Sequence, residues 1–195
     1  MRTDRQEILV VKWQPLVVTL ILTIAVLVAG CADDTPPGPP GGAPPGEPAK
    51  PGQELQLISE VTGEGTLGGN LVSGTIDSIT FTVGLVPDIK SVNMENISIF
   101  YADAVRTESL IPVQGYRGDP PDGAWGILSV NNELGKTNNR IEGGEEFVIR
   151  INPKAPLVPR QLVTISIKTP NGPSLIIRRT SPPTILKEGN ILQPV

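Results

Sequence analysis

The chain has 195 residues, and none of them is histidine. That absence removes histidine-based catalytic triads, histidine-ligated zinc and imidazole pH switches together. There is one cysteine, Cys31. One thiol cannot close an internal disulfide, so any folded domain must be held by its apolar core. Aromatic residues make up only 4% of the chain. Beyond residue 30 they are Phe81, Phe100, Tyr101, Tyr116, Trp125 and Phe147. Spacing alone does not exclude a glycosidase carboxylate pair. So few aromatics, however, cannot build both a core and the stacked platforms that sugar sites use. Basic runs are also missing. Arg178-Arg179 is the only basic doublet, and a solvated strand edge accounts for it. With a net charge of −4, the chain lacks the clustered cations that neutralise phosphates, so nucleic acid is not an expected partner. No cofactor and no metal site is expected, and no catalytic constellation is present. What is plentiful is proline and glycine, 21 of each.

The cysteine closes an apolar run, Leu16 to Ala29, and opens a stretch dominated by proline and glycine. At 14 residues the run fits a signal-peptide core and falls short of the ~20 needed to span a bilayer. Lys12, Gln14 and Pro15 separate it from Ile8–Val11. Arg2, Arg5 and Lys12 precede the run, and Asp33 and Asp34 follow it. This asymmetry puts the N-terminus inside and the remainder outside. Leu27-Val28-Ala29-Gly30-Cys31 resembles a lipobox, the processing signal of lipoproteins. The resemblance implies peptidase recognition through Val28, Ala29 and Gly30, cleavage before Cys31, and a lipid on the Cys31 thiol. The membrane is then the first partner, through that lipid. The other reading is an uncleaved apolar helix ending in a free cysteine.

Residues 31–53 form the lipidated cysteine and its linker. Prolines from Pro36 to Pro51 alternate with glycines from Gly38 to Gly52. Proline favours extended backbone and glycine loosens it. The 22 residues after Cys31 therefore reach at most about 70 Å as a semi-flexible spacer.

From Glu54 the pattern becomes period two. Ile79, Phe81 and Val83 alternate with Ser78, Thr80 and Thr82. The same holds for Ile97, Ile99 and Tyr101, for Phe147, Ile149 and Ile151, for Val163, Ile165 and Ile167, and for Leu175 and Ile177. Trp125–Val130 is a less regular candidate. Such alternation, rich in β-branched residues, predicts strands with one buried face. Turn residues separate them, with Gly143-Gly144 and Asn171-Gly172 as hairpin candidates. Seven or eight strands across 54–182 predict an all-β, two-sheet sandwich. Residues 183–195 are expected to form a weakly ordered C-terminal tail.

Three motifs are weighed here. Gly63-x-Gly65-x-x-Gly68 spells a dinucleotide fingerprint, with Asp88 20 residues beyond it. No helix start follows the glycines to receive a pyrophosphate, so an inter-strand loop is the reading. Asn96-Ile97-Ser98 is the only glycosylation sequon, and alternation turns Asn96 outward on its strand. Glu142, Glu145 and Glu146 surround one turn, and Asp119 and Asp122 another. Neither group has calcium-loop spacing, and both read as solvated turn carboxylates.

Ile76-x-x-Ile79-x-Phe81-x-Val83-x-Leu85, leading to Ile97-Ser98-Ile99-Phe100-Tyr101-Ala102-Asp103, resembles the outer domain of archaellins, the filament subunits of the archaeal motility organelle. Glu145–Ile151, Val163–Gly172 and Leu175–Thr180 are similar to that family as well. The resemblance implies an immunoglobulin-like sandwich over residues 54–182. The N-terminus departs from it: archaellins keep a long apolar helix that packs in the filament core, whereas here a proline linker stands in that place. The expectation is a non-enzymatic lipoprotein on the outer face of the membrane, contacting a surface layer, a filament or itself. The alternatives are a filament subunit or motility-accessory protein that retains the helix, and a surface hydrolase or sugar-binding module.

Overall fold

The computed structural model describes residues 48–67, 74–135 and 137–195. Thirteen strands form among them, and the fold is all-β. The lengths of β1 (Leu55–Leu57) and β2 (Thr62–Thr66) are short, and β3 (Thr75–Leu85) is the long central strand. Then come β4 (Ser91–Asn93), β5 (Ser98–Asp103), β6 (Thr107–Arg117), β7 (Ala124–Asn131) and β8 (Arg140–Glu142). The chain ends with β9 (Glu146–Asn152), β10 (Leu162–Lys168), β11 (Leu175–Thr180), β12 (Asn190–Ile191) and β13 (Gln193–Pro194).

Two sheets stack. The first runs β12-β2-β3-β9-β7, with β1 pairing the end of β3. The second runs β5-β10-β11-β13. The alternating residues meet between them. Ile79, Phe81 and Val83 of β3, Phe147, Ile149 and Ile151 of β9, and Trp125 and Ile127 of β7 are buried from one side. Ile99 and Tyr101 of β5, Val163, Ile165 and Ile167 of β10, and Leu175 and Ile177 of β11 are buried from the other. Each fully buried large apolar side chain contributes on the order of 2 kcal/mol, which is how a chain without disulfides holds together. A separate ladder, β4 with β8, brings Val92 and Ile141 to the same core.

Two segments close the gaps between the sheets, and neither is foreshadowed by the alternation. β6 switches sheets. Thr107–Leu110 pairs antiparallel with β5, and from Ile111 the strand runs parallel to β7. Between Pro112↔Trp125 and Arg117↔Ile127, β6 spends five residues where β7 spends two. The surplus bows outward through Gly115 and Tyr116, both at positive φ (72° and 65°). On the opposite side, the C-terminal residues form a strap rather than a loose tail. Asn190 and Ile191 pair with β2, and Gln193 and Pro194 pair with β11. Leu192, between them, is 1% exposed, and Ile185 is 3% exposed. The Asn190 amide donates to the Gly63 carbonyl (3.0 Å) and the Leu186 carbonyl (2.7 Å), and its oxygen accepts from the Leu186 N–H (2.7 Å). The expected disorder after residue 182 is thus wrong for Ile185 to Pro194. Three buried side chains and two ladders fix that segment, which its prolines and short apolar spacing conceal.

Gly63 and Gly65 belong to β2 and not to a loop. A Cβ at Gly63 would lie 2.6 Å from Ile76 Cγ2, and one at Gly65 2.7 Å from Ile185 Cγ2. These glycines make room for close packing of β3 and of the C-terminal segment, a structural use of the motif. Gly143-Gly144 is also not a hairpin. It joins β8 to β9, which do not pair with each other. Asn171-Gly172 does lie between paired strands, β10 and β11.

Candidate functional site

The residues expected to carry the anchor, Val28, Ala29, Gly30 and Cys31, lie outside the described residues. Asn96 is described. It closes a single 3-10 turn, Met94–Asn96, just before β5, instead of sitting within a strand. Its side chain is exposed, as is Ser98. Asn93 starts the turn by accepting from the Glu95 N–H at 3.1 Å. The turn belongs to a polar cluster at one end of the sandwich. The Asn139 amide donates to Glu95 (3.1 Å) and to the Gly115 carbonyl of the β6 bow (3.3 Å), and the Met94 N–H donates to the Asn139 carbonyl (2.8 Å). Arg117 reaches into the same cluster, donating to the Asn138 carbonyl and pairing with Glu133 at 3.5 Å.

Among the turn carboxylates, Glu145 is engaged in holding backbone and Asp119 in an ion pair. Glu145 is 3% exposed, and its two oxygens accept from the N–H groups of Leu134 (2.7 Å) and Glu142 (2.9 Å). That is a correction to the solvated reading, because two backbone donors stabilise the buried charge. Asp119 pairs with Arg150 at 3.1 Å, and Arg150 also holds Glu64 at 2.6 Å. Among the described residues no three potential metal ligands come together.

A cluster of titratable side chains, Tyr101, Asp103 and Arg106, sits at the β5–β6 turn. Tyr101 is fully buried and donates to Asp103 Oδ2 at 3.0 Å. Asp103 Oδ1 accepts from the N–H groups of Val105 (2.8 Å) and Arg106 (3.0 Å), and Arg106 returns to Asp103 at 3.1 Å. Burial, seconded by the Asp103 charge, pushes the Tyr101 phenol well above its usual range. For Asp103, burial works against ionisation, but the bonds from Val105, Tyr101 and Arg106 and the Arg106 charge outweigh it and hold the carboxyl below its usual value. Arg106 also donates to the Ala155 carbonyl and sits over the Tyr101 ring, 5.5 Å from its centroid. Every member is committed to locking this turn. The tyrosine-plus-acid ending of the strand therefore has a structural reason.

Phe81, Tyr101, Trp125 and Phe147 are buried in the core, and Tyr116 packs its ring 6.0 Å from that of Trp125. Phe100 alone among these aromatics counts as exposed, at 37%. Two hollows among the described residues are small. One of about 180 Å³ lies beside the strap at Glu60, Val61 and Arg179, and one of about 140 Å³ at Pro48, Lys50, Gln53 and Leu175. Neither brings together an acid, a base and a nucleophile.

No protein-family profile and no curated protein sequence matches the chain. Solved structures do match. The archaeal flagellin FlaB1 of Methanocaldococcus jannaschii superposes with a TM-score of 0.54 at 17% identity, over 72% of this chain and 98% of that one. The archaeal flagellum of Methanospirillum hungatei strain JF1 matches with a TM-score of 0.49 at 18% identity, over 71% and 70%. The periplasmic archaellum stator protein FlaG of Sulfolobus acidocaldarius matches with a TM-score of 0.39 at 19% identity, over 61% and 97%. The first of these shows the fold: residues of the sandwich are arranged as in an archaellin β-domain.

Proposed function

We propose that this protein is a non-enzymatic surface lipoprotein, anchored to the outer face of the cytoplasmic membrane through a lipid on Cys31. Its archaellin-like sandwich makes structural or adhesive contacts there with a surface layer, a filament or another copy. The observation that carries the proposal is the order of parts: Leu27-Val28-Ala29-Gly30-Cys31, then a proline and glycine spacer, then an archaellin-like domain. A spacer behind an anchor holds a domain clear of the membrane. The engagement of Glu145 and Asp119 and the burial of most aromatics support a contact module over an enzyme. Asn96, exposed on its turn, is the proposed glycan acceptor.

The fold favours one second reading, an archaellin or motility-accessory subunit that keeps its apolar N-terminal segment. Intact mass of the protein from detergent-extracted membranes separates the two, run beside a Cys31→Ser variant. Loss of residues 1–30 with an added lipid, both absent in the variant, supports the lipoprotein. Retention of residues 8–30 with a bare Cys31 overturns it and favours the filament reading.

A further inference from the structure

The two sheets present outer faces of opposite charge. On the second sheet, the outward positions of β5, β10, β11 and the first half of β6 contain no carboxylate. Lys168 and Arg178, both exposed, are their only charges. Between these cations runs a row across the strands in which Phe100 faces Ser166 and Ser166 faces Ile176. Serine, threonine and alanine fill most of the remaining face, so its side chains there are short and uncharged.

The first sheet is the reverse. Its outward side carries Glu64 on β2, Glu146 on β9 and Asp119 beside Arg150. The Glu64 and Asp119 side chains are 54% and 69% exposed. Arg150 is the one cation on the strands of this sheet, and it is shared between those two acids. Lys187 and Glu188, both exposed beside β2, offset each other, and the three carboxylates against one guanidinium leave the face negative.

We infer that a second copy of this chain docks here, the cationic second-sheet face of one molecule on the acidic first-sheet face of the next. The two patches are different surfaces, so the contact is head-to-tail and leaves a free patch of each kind. Such contacts propagate into open rows and do not close into a dimer. Four strands ~4.8 Å apart and about five residues long offer on the order of 300 Å² per copy, less than half of what a stable complex buries on each side. The contact is therefore weak and registers when molecules are crowded. It does not depend on how the chain is anchored.

The test uses the full chain in detergent micelles, as an equal mixture of ¹⁴N and ¹⁵N protein. A water-soluble carbodiimide condenses lysine amines with carboxylates in direct contact. Within one copy, Lys168 and the acidic patch lie on opposite sides of the sandwich, so any bond between them joins two molecules. The expected product is mixed-isotope peptide linking Lys168 to Glu64, Asp119 or Glu146. Its yield should fall about tenfold at high salt, and about tenfold in Arg178→Glu, whose far-UV spectrum checks folding. Absence of such peptides at high protein concentration, attachment of Lys168 to carboxylates without preference, or yields indifferent to salt and to Arg178→Glu would each overturn the inference.

Discussion

Replacing Leu192 by alanine tests whether the C-terminal strap is part of the fold. Leu192 is 1% exposed, its N–H donates to the Val61 carbonyl at 2.9 Å, and its Cδ1 approaches Gly63. Truncating a buried leucine costs about 2–5 kcal/mol, more where the cavity cannot collapse. Here the hollow of about 180 Å³ beside Ile191 and Pro194 lets the surroundings relax, which places the cost near the lower end, about 2–3 kcal/mol. For a domain of this size that lowers Tm by roughly 6–9 °C. The assay is urea and thermal unfolding of the full chain in mild detergent, followed by far-UV circular dichroism. Ile191→Ala is the control, because Ile191 is 41% exposed. If Leu192→Ala and Ile191→Ala unfold alike, both within about 0.5 kcal/mol of the parent, the strap contributes nothing and the reasoning fails.

Gly63→Ala forces a methyl to within 2.6 Å of Ile76 Cγ2, and Ile76 is fully buried. A loss of about 1–3 kcal/mol is expected in the same unfolding assay, whereas a dinucleotide-binding glycine would leave stability unchanged. The Asp103 carboxyl has a lowered folded-state pKa. It therefore adds stability that is complete above the unfolded carboxylate pKa near 4 and drains away as pH falls below it. Tyr101 is raised, so its contribution is complete below the unfolded value of about 10 and is lost as pH climbs beyond that. Midpoint temperatures across pH should fall at both ends, and Asp103→Asn should flatten the acidic limb. An acidic limb unchanged in that variant would assign acid sensitivity to other carboxylates.

The strands that face the core on one side were legible because alternation is a direct trace of a half-buried sheet. Ile79, Phe81 and Val83 are buried, as are Phe147, Ile149 and Ile151, while Phe100 is exposed between two buried neighbours. The strands that close the sandwich were not. β6 reads Thr-Glu-Ser-Leu-Ile-Pro-Val-Gln-Gly-Tyr-Arg, with Leu110 its only buried residue, because it divides its pairing between two sheets. β12 and β13 have two residues each, too few for any period to show. Glu145 looked solvated because nothing in the sequence announces that the N–H groups of Leu134 and Glu142 converge on it. Asn96 owes its exposure to a 3-10 turn and not to alternation along a strand.

The strap also sets a timetable for biosynthesis. Its pairings join Asn190 to Gly63 and Pro194 to Arg179, so the hydrogen-bonded circuit is completed by residues made more than a hundred positions after the first strands. A nascent chain still short of residue 190 has β2 without its outer partner and an uncovered pocket where Leu192 belongs. Contacts so distant in sequence slow folding, because a long loop must be ordered before they form. The domain therefore leaves the ribosome incomplete and finishes folding only after the whole of residues 55–194 has emerged.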